Sequence, residues 1–214
     1  MKERPVKHEI IRLNEVVVGV NVESLLPKDW IRQVDNVLAI HGEPVILEGG
    51  KHDSSLQPNY TTRYRVVHGA DVATNLSWLD HLYRNDFREI VSSVRQKEMK
   101  PSRQIKMGVN INSISEGGYE LHADPPECTT GLLVATTMEE DNGGELVLTL
   151  LNGEKVSVTP QQGMLYIFDG HQFPHEVTPQ KKVKYPRVTI PMNYFPDGFT
   201  EQPDLALEEF LYGK

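Results

Sequence analysis

The spacing of apolar residues changes in character near the middle of the chain. In the first half, apolar residues recur every three or four positions in segments 27–40 and 79–94. This is the period of an amphipathic helix, and Gly42 and Pro101 follow the two segments at positions where helices commonly stop. The first half is therefore predicted to contain two dominant helices.

From Ile105 onward the pattern consists of short apolar runs bounded by turn residues, such as GLLVATTM, GELVLTLL, GMLYIF and RVTIPMNYF. Such runs are typical of an antiparallel fold with two packed sheets. Asn152-Gly153 between two runs predicts a type I′ hairpin. Residues 44–69 are rich in Gly, Ser and Pro, fit neither pattern, and are predicted to form a long loop of the kind that often serves as a lid.

Composition narrows the class of protein. A chain of 214 residues with 38% apolar and 24% charged side chains suits one large core. We expect one domain over 1–214, with 1–104 as a helical N-terminal support and possible lid, and 105–197 as the β-rich core. The net charge of −8 argues against nucleic acid or anionic membranes as partners.

The expected location is the cytoplasm. Cys128 is the single cysteine, so the chain has no internal disulfide framework, and the charged start MKERPVKHEI is unlike a signal peptide. The longest apolar runs are far shorter than the roughly 20 residues that a membrane-spanning helix needs. No membrane association is therefore expected.

The stretch GGYELHADPPE combines candidate metal ligands with a strand stop. Residues two apart on a strand point to the same face, so His122 and Asp124 would project together. Pro125-Pro126 cannot donate hydrogen bonds to a neighbouring strand, so the chain would leave the sheet just beyond them. The pair is a candidate for sharing a metal ion.

A second stretch supplies further candidates. His175 opens a predicted strand, with His171 as an alternative ligand on the turn before it, and Arg187 and Thr189 share one face of the last strand. Two histidines and a carboxylate hold non-haem Fe(II) with open coordination positions, although catalytic zinc commonly uses the same set. Arg187 would bind a carboxylate through two parallel hydrogen bonds, and the Thr189 hydroxyl would add a further donor.

Together, the motifs GGYELHAD, NGGELVL and FPHEVTP followed by YPRVTI resemble the Fe(II)- and 2-oxoglutarate-dependent dioxygenases, and most closely their prolyl-hydroxylase-like branch. The resemblance implies a mostly β, α+β fold: a double-stranded β-helix (jelly-roll) core with N-terminal helices packed on it. It also implies an iron ion bound by His122, Asp124 and His175. Arg187, with Thr189, would anchor the distal carboxylate of 2-oxoglutarate.

The resemblance further implies an enzyme that uses Fe(II), 2-oxoglutarate and O2, and releases succinate and CO2. Halogenating members carry a small residue where Asp124 stands, so hydroxylation or a related oxidation of an unactivated C–H bond is expected. Where relatives often have a tyrosine that contacts the co-substrate, this chain offers Asn110 and Asn112, and Asn112 is the candidate cofactor-binding residue. Tyr119 is interpreted either as a lining residue of the substrate pocket or as a half-buried strand tyrosine.

Three functions remain open. The leading one is oxidation of a small molecule, such as an amino acid or a natural-product intermediate. The second is hydroxylation of a prolyl residue in a protein or peptide. The third is a non-catalytic metal-binding jelly-roll module, against which Arg187 and Thr189 argue because a structural metal site needs no carboxylate clamp. The sequence does not specify an oligomeric state.

Overall fold

A computed structural model of the chain describes residues 10–14, 16–48, 61–102, 109–112, 118–182 and 186–201. Within these residues it has thirteen strands and four α-helices. The helices are α1 (Trp30–His41), α2 (Gly69–Asn75), α3 (Ser77–Arg84) and α4 (Asp86–Arg95). The strands are β1 (Ile10–Arg12), β2 (Val17–Asn21), β3 (Glu43–Glu48), β4 (Thr61–Val67), β5 (Met99–Pro101), β6 (Val109–Asn112), β7 (Tyr119–His122), β8 (Thr129–Val134), β9 (Leu146–Thr149), β10 (Lys155–Val158), β11 (Met164–Asp169), β12 (His175–Val177) and β13 (Arg187–Pro196).

The strands form two antiparallel sheets. The large sheet has nine strands in the order β1-β2-β11-β8-β13-β6-β4-β3, with β5 paired to the far end of β13. The small sheet has four strands in the order β10-β9-β12-β7. This arrangement is that of a jelly-roll core, and the predicted mostly β fold with flanking helices is confirmed.

The large sheet is covered on both faces. Along β11, Leu165 and Ile167 face the helices, whereas Tyr166 and Phe168 face the space between the two sheets. Strands that are buried on both faces are apolar nearly throughout. For this reason the central strands β8 and β11 read as nearly continuous apolar runs in the sequence. The space between the sheets is called the barrel interior below.

The helix predictions are confirmed in position but not in number. Segment 27–40 corresponds to α1, whereas segment 79–94 is divided into α3 and α4. The break falls at Asn85, whose backbone leaves the helical region with φ −123° and ψ −88°. The apolar period continues across the break because both helices bury the same side against the large sheet.

The prediction of a long loop over 44–69 is wrong for most of the described residues of that segment. Residues 43–48 and 61–67 are the antiparallel strands β3 and β4, and β4 joins the large sheet beside β6. Residue 69 begins α2, and residues 49–60 lie outside the described part of the chain. The loop prediction failed because it gave weight to the Gly and Pro residues of the segment and not to the β-branched residues of TTRYRVV, which favour a strand.

The predicted hairpin at Asn152-Gly153 is present between β9 and β10, but it is not of type I′. A type I′ turn needs positive φ at both central residues. Only Gly153 has a positive φ, of 84°, and its N–H donates to the carbonyl of Leu150. Among the described residues, no helix is long and apolar enough to cross a membrane.

Candidate active site

The two histidines of the predicted ligand set lie side by side on neighbouring strands. His122 ends β7 and His175 begins β12; they are direct partners in the sheet register, with ring centroids 4.3 Å apart. Directly paired residues of antiparallel strands point to the same face. His175 is also paired with Leu148, which is buried between the sheets, so both imidazoles project into the barrel interior.

Asp124 lies two residues beyond the end of β7, so the prediction that it stands on the strand is wrong. Pairing stops there because the partner strand begins at His175, directly after Pro174, which has no N–H to donate. Two other contacts fix Asp124. Its backbone N–H donates to the Gly170 carbonyl at 2.8 Å, and the Thr130 hydroxyl donates to its carboxylate.

The carboxylate of Asp124 faces both imidazoles. Its Oδ1 is 3.9 Å from Nε2 of His122, and its Oδ2 is 3.9 Å from Nε2 of His175. One potential ligand atom from each of the three residues lies within 4.8 Å of the others. The structure therefore brings together the three residues that the sequence had placed in two separate stretches.

The hydrogen bonds of the imidazoles fix which nitrogen faces the cluster. Nδ1 of His122 is 2.8 Å from the Glu120 carbonyl, and Nδ1 of His175 is 3.2 Å from the Phe173 carbonyl. A carbonyl oxygen only accepts, so each Nδ1 carries a proton and each ring turns its Nε2 toward Asp124. Burial, followed by the neighbouring His122, lowers the pKa of His175 to about 4, although Asp124 opposes the shift.

This cluster fits a divalent cation. At neutral pH His175 is uncharged, so it cannot supply a positive charge to balance the Asp124 carboxylate. The atoms that converge are the Nε2 atoms of the two imidazoles and the carboxylate oxygens of Asp124, an arrangement that metal binding explains. Two imidazoles and one carboxylate form the donor set of non-haem Fe(II) enzymes with open coordination positions.

Arg187 lies at the start of β13 in the large sheet and is only 3% exposed. Its Nε donates to the Gly144 carbonyl at 2.9 Å, and its Nη1 donates to the Thr189 hydroxyl at 3.0 Å. Its Nη2 is buried and has no hydrogen-bond partner among the described residues. An unsatisfied buried guanidinium nitrogen is costly, so this atom indicates the place of an anionic ligand.

The register of β13 directs this guanidinium to the same space as the histidines. Thr189 is paired with Val134, which is buried between the two sheets, and Arg187 is two residues before it on the same face. Burial lowers the pKa of Arg187 to about 10, so the side chain remains a cation at neutral pH. The barrel interior thus holds one cluster of acceptors and one buried cationic donor.

The remaining predicted residues, Asn110, Asn112 and Tyr119, lie on β6 and β7. The backbone of Asn112 is paired with Arg187 and that of Asn110 with Thr189, but the side chain of Asn112 lies outside the described part of the chain. Tyr119 is half-buried, and its ring centroid is 4.8 Å from that of His122.

This contact depends on an irregularity in the β7–β12 pairing. Val177 pairs with Tyr119 and His175 with His122, so three residue steps on β7 match two on β12. Such a bulge re-aims side chains and brings Tyr119 beside His122.

The alternative third ligand, His171, is outside the cluster. It is exposed on the turn between β11 and β12, and its Nδ1 is 3.2 Å from the backbone carbonyl of Asp124. Sequence reasoning missed two residues that support the ligands. They are Thr130, whose hydroxyl donates to the Asp124 carboxylate, and Gly170, where a Cβ would overlap Oδ2 of Asp124.

Residues 109–195 match the sequence model of the 2OG-Fe(II) oxygenase superfamily. The predicted resemblance is confirmed over these residues, which match 2-oxoglutarate- and Fe(II)-dependent oxygenases, a class of oxidoreductases. The match supports the prediction of an enzyme of this class. The cofactors Fe(II) and 2-oxoglutarate are confirmed with it.

Solved structures share the fold at low sequence identity. An oxidoreductase of the 2OG-Fe(II) oxygenase family from Burkholderia pseudomallei is 14% identical, with a TM-score of 0.65 over 86% of this chain and 93% of that one. The epimerase SnoN from nogalamycin biosynthesis is 13% identical, with a TM-score of 0.66 over 92% and 85%.

A prolyl hydroxylase from Trichoplax adhaerens, solved with a peptide fragment of hypoxia inducible factor, is 19% identical, with a TM-score of 0.60 over 86% of this chain and 85% of that one. A search of curated proteins finds no relative of this chain. The structural neighbours therefore include enzymes of small molecules and of peptides, and they leave the substrate class open.

Proposed function

We propose that His122, Asp124 and His175 hold the Fe(II) ion and that Arg187, with Thr189, binds the distal carboxylate of 2-oxoglutarate. The observation that carries this assignment is the presence of two complementary groups in one interior. One potential ligand atom from each of the three residues lies within 4.8 Å of the others, and the buried Nη2 of Arg187 has no acceptor among the described residues. A metal ion and a dicarboxylate would complete both groups.

When bound, the iron and 2-oxoglutarate supply the oxidation, in which O2 and 2-oxoglutarate yield succinate, CO2 and an oxidised C–H bond of the substrate. The residues of the chain position these groups. The carbonyls of Glu120 and Phe173 keep each Nε2 available, and the Thr130 hydroxyl holds the carboxylate of Asp124. The Thr189 hydroxyl accepts from Arg187, so its own proton is available for the co-substrate carboxylate.

Aromatic rings shield the ligand histidines from water. The ring of Phe168 lies edge-on to His175 with centroids 4.9 Å apart, and Tyr119 contacts His122. Exclusion of water strengthens the electrostatic contacts in the site and protects reactive species. Because Asp124 provides a carboxylate ligand, hydroxylation or a related C–H oxidation is the reaction that we propose.

The proposed substrate is a small molecule, such as an amino acid or a natural-product intermediate. Cα atoms of β4 lie within 8 Å of β7, so the β3–β4 hairpin borders the strand that carries His122. This border favours an enclosed site over an open groove. A prolyl peptide is the second candidate, favoured by the fold shared with the prolyl hydroxylase that was solved with a peptide fragment.

Succinate formation tests this function. Protein with Fe(II), 2-oxoglutarate and O2 would be offered free amino acids in one arm and proline-containing peptides in the other, with mass spectrometry to detect an added oxygen atom. Oxidation of a free small molecule alone supports the first candidate, and oxidation of peptides alone supports the second. Failure of the protein to bind 2-oxoglutarate in the presence of Fe(II) would refute both.

We also propose that the chain folds as one domain and acts in the cytoplasm. The first proposal is supported by β1–β4, which are hydrogen-bonded into the same sheet as the strands after residue 105. Expression of 105–197 alone should therefore give an unfolded product. The second is supported by Cys128, the single cysteine of the sequence, whose buried thiol fits a reducing compartment, and fluorescent tagging of the full chain tests it.

A further inference from the structure

The turn between β11 and β12, residues 169–173, contacts two of the three proposed metal ligands through its backbone. The carbonyl of Gly170 accepts the N–H of Asp124 at 2.8 Å. The carbonyl of Phe173 lies 3.2 Å from Nδ1 of His175. The position of Asp124 and the ring orientation of His175 therefore both depend on the conformation of one short turn.

Asp169 fixes that conformation from inside the turn. Its side-chain Oδ1 accepts the N–H of Gln172 at 2.9 Å, and its backbone carbonyl accepts the N–H of Phe173 at 3.1 Å. A carboxylate that closes a turn on its own following residues is a strong local constraint. The second carboxylate oxygen, Oδ2, is left for a contact outside the turn.

That contact comes from a distant helix. Nη2 of Arg95, in the last turn of α4, donates to Oδ2 of Asp169 at 2.7 Å. The Asp169 side chain is 16% exposed and that of Arg95 is 28% exposed, so the pair is shielded from solvent over most of its surface. The hydrogen bond is charge-assisted and ties the turn to the helical layer.

The turn has little freedom to move without moving the ligands. A Cβ on Gly170 would overlap Oδ2 of Asp124 and come within 2.8 Å of the Thr130 hydroxyl oxygen. The backbone of the turn is thus in close contact with the carboxylate that it positions. A small displacement of residue 170 would change both the direction and the hydrogen bonding of Asp124.

We propose that Asp169 and Arg95 are positioning residues of the metal site, which hold the turn that aligns Asp124 and His175. Neither side chain is a metal ligand. The inference rests on the proposed function, because it takes Asp124 and His175 as ligands. Residues outside the coordination shell that orient ligands typically alter metal affinity by about 10–100-fold when they are removed.

The test measures binding of Co(II), a spectroscopic substitute for Fe(II), to the metal-free full-length protein. Asp169→Asn keeps an acceptor for Gln172 but removes the charge that faces Arg95, and Arg95→Gln removes the other partner. Each variant should weaken Co(II) binding by about tenfold and alter the visible Co(II) absorption, which reports ligand geometry. The double variant should be no weaker than either single one, because the two residues act through one contact. Arg95→Lys should recover most of the affinity.

Arg88→Gln is the matched control. Arg88 lies on the same helix, and its Nη1 contacts Oε1 of Glu98 at 3.0 Å, away from the turn. This variant should lose a similar amount of stability and keep wild-type Co(II) affinity and absorption. Equal losses of affinity in Arg88→Gln and Arg95→Gln, or wild-type affinity in both Asp169→Asn and Arg95→Gln, would overturn the inference.

His175→Ala, measured in parallel, separates this inference from the proposed function. If His175→Ala binds Co(II) as the wild type does, the ligand assignment itself is wrong. If His175→Ala loses binding while Asp169→Asn and Arg95→Gln retain it, the ligand assignment stands and the positioning role is wrong.

Discussion

The two sheets of the jelly roll bring two different kinds of polar side chain into the same interior. The small sheet presents His122 and His175, which form with Asp124 a cluster of acceptor atoms within 4.8 Å. The large sheet presents Arg187, a buried donor whose Nη2 has no partner among the described residues. The first cluster needs a cation, and the second needs an anion.

This contrast indicates that the buried polar residues of the interior serve function and not stability. A buried polar group without a partner costs about 1–3 kcal/mol, and a charged group costs more. A protein that kept these groups only for stability would pair them with each other or replace them with apolar side chains. Their separation on facing sheets instead suits a metal ion and an anionic co-substrate that occupy the same cavity.

The largest expected effect is on the acceptor cluster. His175→Ala should reduce Fe(II) affinity, measured by anaerobic calorimetry, by more than the 10–100-fold that is typical of lost outer partners. The reason is that one of three ligands disappears. His171→Ala is the matched control, because His171 is exposed and four residues earlier, and it should bind Fe(II) as the wild type does. The reverse result would make His171 the third ligand.

The next largest effect is expected for Arg187, whose removal should lower the affinity for 2-oxoglutarate and not that for Fe(II). Arg187→Leu should weaken 2-oxoglutarate binding by about 2–5 kcal/mol, the range for loss of a buried charge-assisted pair. Calorimetry with 2-oxoglutarate on the metal-loaded protein measures the loss. Fe(II) affinity should stay close to that of the wild type, and Arg88→Leu serves as the control for removal of an arginine. A loss of Fe(II) binding in Arg187→Leu would show that the two clusters are not separable.

A smaller effect on metal affinity is expected for Thr130, which contacts Asp124 but is not a proposed ligand. Thr130→Val removes the hydroxyl that donates to Asp124 and keeps the shape of a β-branched side chain. Metal affinity should fall by about tenfold, at the low end for an outer partner, in a Co(II) titration. Thr130→Ser should retain the wild-type affinity. Equal affinities in the valine and serine variants would contradict the role of the hydroxyl.

The smallest effect concerns a buried contact between the helical layer and the large sheet. The Tyr83 hydroxyl donates to the Asn193 carbonyl at 2.9 Å and accepts from the Ser102 N–H at 2.8 Å, which joins α3 to β13. Tyr83→Phe should lower the free energy of unfolding by about 1–2 kcal/mol in urea denaturation. Affinities for Co(II) and 2-oxoglutarate should not change. A change in either affinity would mean that the helical layer controls the site more directly.

The residues of the site could be predicted from sequence because each carries its own signal. Arg187 and Thr189 share a strand face, so local periodicity is enough to group them. His122 and Asp124 were grouped correctly by their short spacing, although Asp124 lies beyond the strand. The choice between His171 and His175 could not be made locally, since both flank the same turn. It follows from the register that pairs His175 with His122, which is a tertiary fact.

The residues that support the site could not be predicted from local sequence, because their contacts also depend on the tertiary structure. Arg95 and Asp169 are 74 residues apart in sequence, and their contact exists only because α4 packs over the end of β11. The strands β3 and β4 were missed because their polar residues and flanking glycines resemble those of a loop. Local pattern thus predicts the residues of the candidate site better than it predicts the residues that contact and support them.

The most direct test of the account is an anaerobic titration of the Fe(II)-loaded protein with 2-oxoglutarate, followed by visible absorption. A weak charge-transfer band should develop in the wild type, be absent in His122→Ala and His175→Ala, and require much more 2-oxoglutarate in Arg187→Leu. A band that survives in either histidine variant, or that titrates in Arg187→Leu as it does in the wild type, would contradict the claim that the two sheets build one site.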